Sequence, residues 1–282
     1  MKFSKVTVVA GGLLLILQHL TNGQSGPASA GGMVHAFTRE DSAYSRAIPE
    51  QTQRIEATID QRLSAITNLV CHEQIARYAR KGNSISQLDT LDVNVEVLNG
   101  TERYSRIRRK EKTFSDMREV PGTWSVGEMA TLLSATRDAI GLGDIRVGQD
   151  ELEHWGRSLL MMFKYPASSR RWYLRANSRV NWLPFEGRVW TSPLTGEILR
   201  VTWVANDLPA DSGVAQVLWT VDFSPVNLSS LMVTVPQKAL YQVTYKNRAD
   251  HVDWNVTSFS EYRRYYSDSA IHFDGEDQSG EK

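Results

Sequence analysis

The chain has 282 residues, with 32 basic against 32 acidic residues and 41% hydrophobic ones. Balanced charge argues against nucleic acid and against general attraction to anionic lipid, because both partners need a basic surplus. A single cysteine, Cys71, excludes an internal disulfide, so a core must hold the fold, and eight Trp, ten Tyr and eight Phe can build a large one.

In chain order, Lys2 and Lys5 precede an apolar run over 6–17, and Ala28-Ser29-Ala30 gives an A-x-A exit site. This predicts a secretory signal peptide over 1–30, cleaved near Ala30. An uncleaved anchor is the alternative, since the polar stretch 21–27 is long for a signal tail. Loss of Lys2 and Lys5 takes the basic count from 32 to 30 against 32 acids, a formal charge of −2. No later segment approaches the ~20 apolar residues that a spanning helix needs. A periplasmic or extracellular protein without a transmembrane segment is expected. Residues 31–48 lack periodicity and read as a flexible leader.

Pro49-Glu50 opens a helix pattern: proline suits the first helical position, and an early acid suits the positive helix end. Ile55, Ile59, Leu63, Ile66 and Leu69 recur at three- and four-residue steps, predicting five to six turns. A strand follows over 73–80. Leu91, Val93, Val95 and Val97 then alternate with Asp92, Asn94 and Glu96, a half-buried strand. Asn99-Gly100 marks a hairpin, and the return arm 101–107 runs into Arg106, Arg108, Arg109, Lys110 and Lys112. Ser125-Val126-Gly127-Glu128 reads as a capping box for a second helix through Met129, Leu132, Leu133, Thr136 and Ile140, stopping at Gly141.

From 159 to 273 nearly everything reads as strand. The clearest signal is 185–204, strand, turn and strand, with Ser192-Pro193-Leu194-Thr195-Gly196 as the turn. There Leu199, Val201 and Trp203 are expected on one side, Arg200 and Thr202 on the other. Further strands are predicted over 217–223, 232–235 (ending at Pro236), 241–245 and 252–257. An acidic tail over 274–282 reads as disordered. The fold class is α+β: one domain over 49–273, a large curved antiparallel sheet of about 9–11 strands. Such a sheet curls into an open or half barrel, with two main helices packed on its concave face.

Chemistry-bearing motifs are sparse. His72-Glu73-Gln74-Ile75-Ala76 begins like H-E-x-x-H, but Ala76 stands where the second ligand belongs, so no metal site is expected. His35, His154, His251 and His272 lack ligand spacing. Cys71 and His72 are adjacent on an extended chain and point to opposite faces, so they make no dyad. Cys71 reads as a buried small apolar residue. Thr123-Trp124-Ser125-Val126-Gly127 resembles a nucleophile elbow without the buried strand before it, and the cap explains Ser125. A hydrolase through Ser125 or Cys71 is the rival enzyme reading. The basic run 103–112 reads as a solvated strand end. No cofactor is indicated. Met129, Leu132, Leu133, Trp190, Trp203, Trp219, Tyr241 and Trp254, with Tyr245, are either ordinary core or the lining of an apolar cavity.

The hairpin G-R-V-W-T-S-P-L-T-G-E-I-L-R-V resembles that of periplasmic lipoprotein-carrier-like (LolA/RseB-like) proteins, with Ser192 where Asp is usual. The stretch 69–273 is also similar to a group of uncharacterised secreted bacterial proteins. Its marks here are Leu69-Val70-Cys71-His72-Glu73-Gln74, Gly122-Thr123-Trp124-Ser125-Val126-Gly127-Glu128, Tyr245-Lys246-Asn247 and Phe259-Ser260-Glu261-Tyr262-Arg263. The resemblance implies a half-barrel with helices in its mouth. It also implies a non-enzymatic protein that holds an acyl chain, a lipid or a lipid-modified partner. The alternative is a regulatory protein that binds a protein partner on the same fold, with a filled interior.

Overall fold

The computed structural model describes residues 6–9 and 45–265, apart from 143–144, 171, 177–178, 207, 229–230 and 247. Most of the expected signal peptide, the leader up to 44 and the acidic tail lie outside the described residues. The elements in order are β1 (Val6–Val9), β2 (Ser45–Arg46), α1 (Pro49–Ala65), β3 (Leu69–Lys81), β4 (Ser84–Leu98), β5 (Thr101–Arg109) and β6 (Lys112–Phe114). Then come α2 (Thr131–Ile140), β7 (Ile145–Leu152), β8 (Gly156–Tyr165), β9 (Tyr173–Ala176) and β10 (Arg179–Trp182). β11 (Phe185–Thr191), β12 (Ile198–Ala205), β13 (Val214–Leu228), β14 (Leu231–Tyr245) and β15 (Arg248–Arg264) complete them.

Twelve strands form one antiparallel sheet in the order β2-β7-β8-β11-β12-β13-β14-β15-β3-β4-β5-β6. Its end strands do not pair with each other, so the sheet is open. β1, β9 and β10 form a separate three-stranded sheet. No described helix is long and apolar enough to cross a membrane.

The strands that periodicity misses are β1, which falls in the apolar run over 6–17, and β2, β6, β7 and β10. Four of them have four residues or fewer, and in β7 the apolar alternation of Ile145 and Val147 stops at Gly148. β14 also continues through Pro236 where the sequence predicts an end. Asp222 pairs with Lys238 and Phe223 with Pro236, so the bulged strand carries one extra residue there. A bulge is where a residue without an N–H fits a sheet.

α1 is shorter than the spacing predicts. It ends at Ala65 with Ile66 as its cap, and Leu69 starts β3. Asn68 adopts a left-handed φ of 63° at the junction, and its N–H donates to the Val97 carbonyl. The Gln51 side chain accepts from the Ile48 N–H at 3.2 Å, closing the first turn. At its other end Arg62 is buried and donates to Glu197 in the β11–β12 turn. Arg137 of α2 bridges to Glu56 at 2.8 Å and to Asp60 at 3.1 Å, tying the two helices together.

One face of the sheet carries a row that register fixes: Phe163, Gly187, Trp203, Trp219, Tyr241, Asn255, Arg77 and Asp89 pair side by side across eight strands. Its aromatic half lies under α2, where the Trp203 indole donates to Thr136 at 3.2 Å. This is the covered face. Gly187 is required there by close approach: a Cβ would sit 2.0 Å from Phe163 Cζ. Gly187→Ala is expected to destabilise the protein by about 1–3 kcal/mol, because the whole Phe163 ring must shift. A urea titration of the purified variant checks this.

Candidate functional site

The covered face is filled. Trp203 and Trp219 are fully buried and Tyr241 is 1% exposed. Trp203 stacks on Phe185 at 4.0 Å between ring centres, with Trp172 at 5.7 Å and Trp219 at 5.4 Å edge-on. Met129, Leu132 and Leu133 lie in the same buried cluster. Six of the residues grouped by sequence as a candidate cavity thus meet in one core.

Trp190 does not join them, and Trp254 packs against that cluster only as a half-buried residue. Trp190 packs with Leu152 and Leu160, with Trp155, Met162 and Leu199 beside them. Its register partner is Arg200, so it belongs to the opposite face. Leu199 departs from the predicted side because the ladder slips between Trp190 and Thr191, which pairs with Ile198. Trp254 is register partner to Gln242 and Tyr78 and stacks on the Tyr78 ring at 5.5 Å. On β15 the polar residues Asn255 and Thr257 face the covered side instead, at 0% and 2% exposure.

The reason is a buried connector. Between β6 and α2, residues 123–130 are all buried. The connector lies over the polar half of the row. Arg77 donates to the Pro121 carbonyl at 2.8 Å and the Thr123 carbonyl at 3.4 Å, and Asn255 donates to Thr123 O at 3.1 Å. Thr123 Oγ1 and the Tyr245 hydroxyl both donate to Asp253, at 3.0 and 2.9 Å. A non-repetitive segment can be buried only if its backbone groups find such partners. Arg77 also holds Asp89 through two bonds of 2.6 and 2.8 Å, and Arg109 reaches Asp89 at 2.6 Å. Burial would raise the Asp89 carboxyl, but the hydrogen bonds and charges of Arg77 and Arg109 outweigh it and hold it below its ordinary value.

The predicted capping box takes another form. α2 begins at Thr131 with Ala130 as its cap residue, and Ser125 Oγ donates to Glu128 Oε1 at 2.7 Å. The cap comes from β5: Glu102 accepts from the Ala130 and Thr131 amides at 2.7 and 2.9 Å. This carboxylate suits the positive end of the helix. Tyr104 donates to Glu102 and accepts from the Gly127 amide at 2.6 Å.

Next to this cap lies a buried acid pair. Glu73 is fully buried, and neither of its carboxyl oxygens has a hydrogen-bond partner among the described residues. Glu128 is 1% exposed, and its Oε2 likewise has none. Burial, then the charges of Glu128 and Glu102, push the Glu73 carboxyl well above its ordinary range. Burial and the Glu102 charge push Glu128 up to about 7, against the opposing hydrogen bond from Ser125. Cys71 points into the same region, with Sγ 3.4 Å from Met129 Sδ, and burial raises its thiol. His72 faces the other way, 3.5 Å from Asp92. Among the described residues, no group of three or more His, Cys, Asp and Glu is placed to hold a metal ion.

The opposite face holds a groove of about 230 Å³ lined by His154, Trp155, Arg200, Asp222, Lys238, Leu240 and Val256, among others. Arg200 donates to Asp222 at 2.5 and 3.1 Å and lies 5.3 Å over the Trp155 ring. Burial raises the Asp222 carboxyl even though Arg200 opposes the shift. A second cavity, of about 390 Å³, lies beside the α2 cap and is lined by Glu102, Tyr104, Arg118, Trp124, Gly127 and Arg175, among others. Ser125 lines neither cavity.

Sequence reasoning missed Glu73, Glu102, Arg77 and Asp89. The available signal was parity: Glu73 and Arg77 share a strand face with Cys71 and Ile75, which are plainly core residues.

No family model matches the chain, and no curated protein matches it. Its structure is similar to the crystal structure of a DUF1329 family protein from Desulfovibrio piger ATCC 29098 at a TM-score of 0.36 and 10% identity, over 80% of this chain and 97% of that one.

Proposed function

We propose that the protein is an exported, non-enzymatic binding protein, its open sheet curled as a half barrel, and that it holds an amphiphile such as an acyl chain in the groove on the opposite face. The observation that carries this reading is the lining of that groove. Trp155, Leu240 and Val256 supply apolar surface, while Arg200 and Lys238 outnumber Asp222. An anionic head would meet Lys238, since Arg200 is already spent on Asp222. Each methylene laid against the floor contributes about 0.8 kcal/mol. The filled covered face argues against storage beneath α2, where the sequence pattern placed the cavity.

The test is titration of delipidated protein with palmitate carrying a quencher, read by tryptophan fluorescence. Trp155→Ala is expected to weaken binding about tenfold, which corresponds to about 1.4 kcal/mol. Lys238→Gln is expected to weaken it several-fold. Absence of binding, or binding that both variants leave intact, overturns the reading. A filled interior also favours the second reading, a regulatory protein that binds a protein partner. A stoichiometric partner from envelope extract with no palmitate bound would select it.

A further inference from the structure

A carboxyl group buried without a donor is costly, and this core holds two, Glu73 on the strand face where Cys71 meets Met129 of the connector and Glu128 on the connector itself, each within reach of the other's field. Every element packed around them adds negative or neutral groups. β3 supplies Cys71 beside Glu73, β5 supplies Glu102 and Tyr104, and the connector supplies Ser125 beside Glu128. β15 supplies Tyr262, whose hydroxyl donates to the Pro236 carbonyl at 2.5 Å. Among the described residues no lysine or arginine forms an ion pair with Glu73 or Glu128. Among the described residues, the compensation is Ser125 on one oxygen of Glu128 and the Gly127 and Glu128 amides. An apolar pair of the same shape would avoid that desolvation cost, so packing alone does not explain the acids.

We infer that Glu73 and Glu128 form a proton-binding latch: with both acids neutral the connector 122–130 stays clamped on the sheet, and loss of their protons releases it. The geometry gives the latch two jaws. Glu73 is fixed on β3, between β15 and β4, and Glu128 sits on the connector, one turn before α2. Two carboxylates cannot both ionise in that dry space, whereas either is solvated once the connector lifts. The sign follows from linkage. A carboxyl whose value is raised in the closed form favours that form below its ordinary range and loses the advantage as pH rises through the raised value. For Glu128 the window runs from about 4.5 to about 7. Release is therefore expected as pH rises towards neutrality, and the upward shift of Glu73 extends the loss in the same direction. The latch is independent of the groove on the opposite face, so either can fail alone.

Hydrogen exchange of the full chain, followed for peptides covering 122–130 and corrected for intrinsic rate, tests it. Between pH 6 and pH 8 protection of this connector is expected to fall at least tenfold, while β12 and β13 keep theirs. The double variant Glu73→Gln/Glu128→Gln, which fixes both groups in a neutral form, should stay protected across that range. Ser125→Ala removes the one side-chain donor to the ionised form, so its transition should move to higher pH. Constant protection in the native chain overturns the latch, and so does an unchanged fall in the double variant. If the double variant and Glu73→Gln both fail to fold at pH 6, the neutral pair is the wrong description and the latch is overturned equally.

Discussion

Arg77→Met is expected to lower stability by about 3–5 kcal/mol, the range for breaking a buried ion pair by removing one partner. Arg77 is 3% exposed and serves three acceptors: the Asp89 carboxylate, Pro121 O and Thr123 O. Its loss strands a buried charge and the Pro121 carbonyl, and leaves the Thr123 carbonyl to Asn255 alone. Arg109 stays on Asp89, but its side chain is a third exposed, so it screens that charge only partly. Urea unfolding at pH 7 measures the cost. Arg77→Met/Asp89→Leu is expected to recover much of it, because removing both charges also removes their desolvation. The pH dependence provides a second check. Asp89 sits below its ordinary value in the folded chain, so its contribution is present above about pH 4 and disappears as pH falls through the depressed value. The variant should lose the acid-side slope that the native chain shows. Equal stability of native chain and single variant would remove Arg77 as the anchor of the connector.

The second large effect belongs to Trp203. Trp203→Ala is expected to cost about 3–5 kcal/mol, since deleting a large buried aromatic leaves a cavity that a stiff sheet cannot close. Rings surround the site: Phe185 stacked, Trp172 and Trp219 edge-on. The Thr136 hydroxyl above it also loses its donor. Trp203→Phe keeps most of the apolar volume and should cost less than half as much. Thermal unfolding of the two variants separates volume from hydrogen bonding. A near-neutral Trp203→Ala would mean that α2 is not seated on this row.

The strand pattern, the Asn99-Gly100 hairpin and the Pro49 helix start are legible in the chain because each rests on local chemistry. Asn99 and Gly100 take left-handed φ values of 50° and 74°, and such a turn needs those residue types. Proline and an early acid mark a helix start wherever they occur. Alternation also shows that 252–257 is a strand. It cannot say which side is inside, because parity defines two faces and only a third element chooses between them. Here the connector chose. Its carbonyls needed Asn255 and Arg77, so polar side chains face the core while Trp254 faces away. The same choice hides Glu73, which in sequence is one acid in an ordinary strand.

The chain by itself thus determined that a long antiparallel sheet with two helices would form, since turn chemistry and periodicity are properties of neighbouring residues. Only the tertiary structure decided where α2 begins, that Glu102 rather than Ser125 caps it, and that the aromatic row is filled. It also brought Glu73 and Glu128 together from positions 55 residues apart in the chain. Those outcomes depend on which groups meet across the sheet when its backbone and buried charges are satisfied, and no local pattern encodes that meeting.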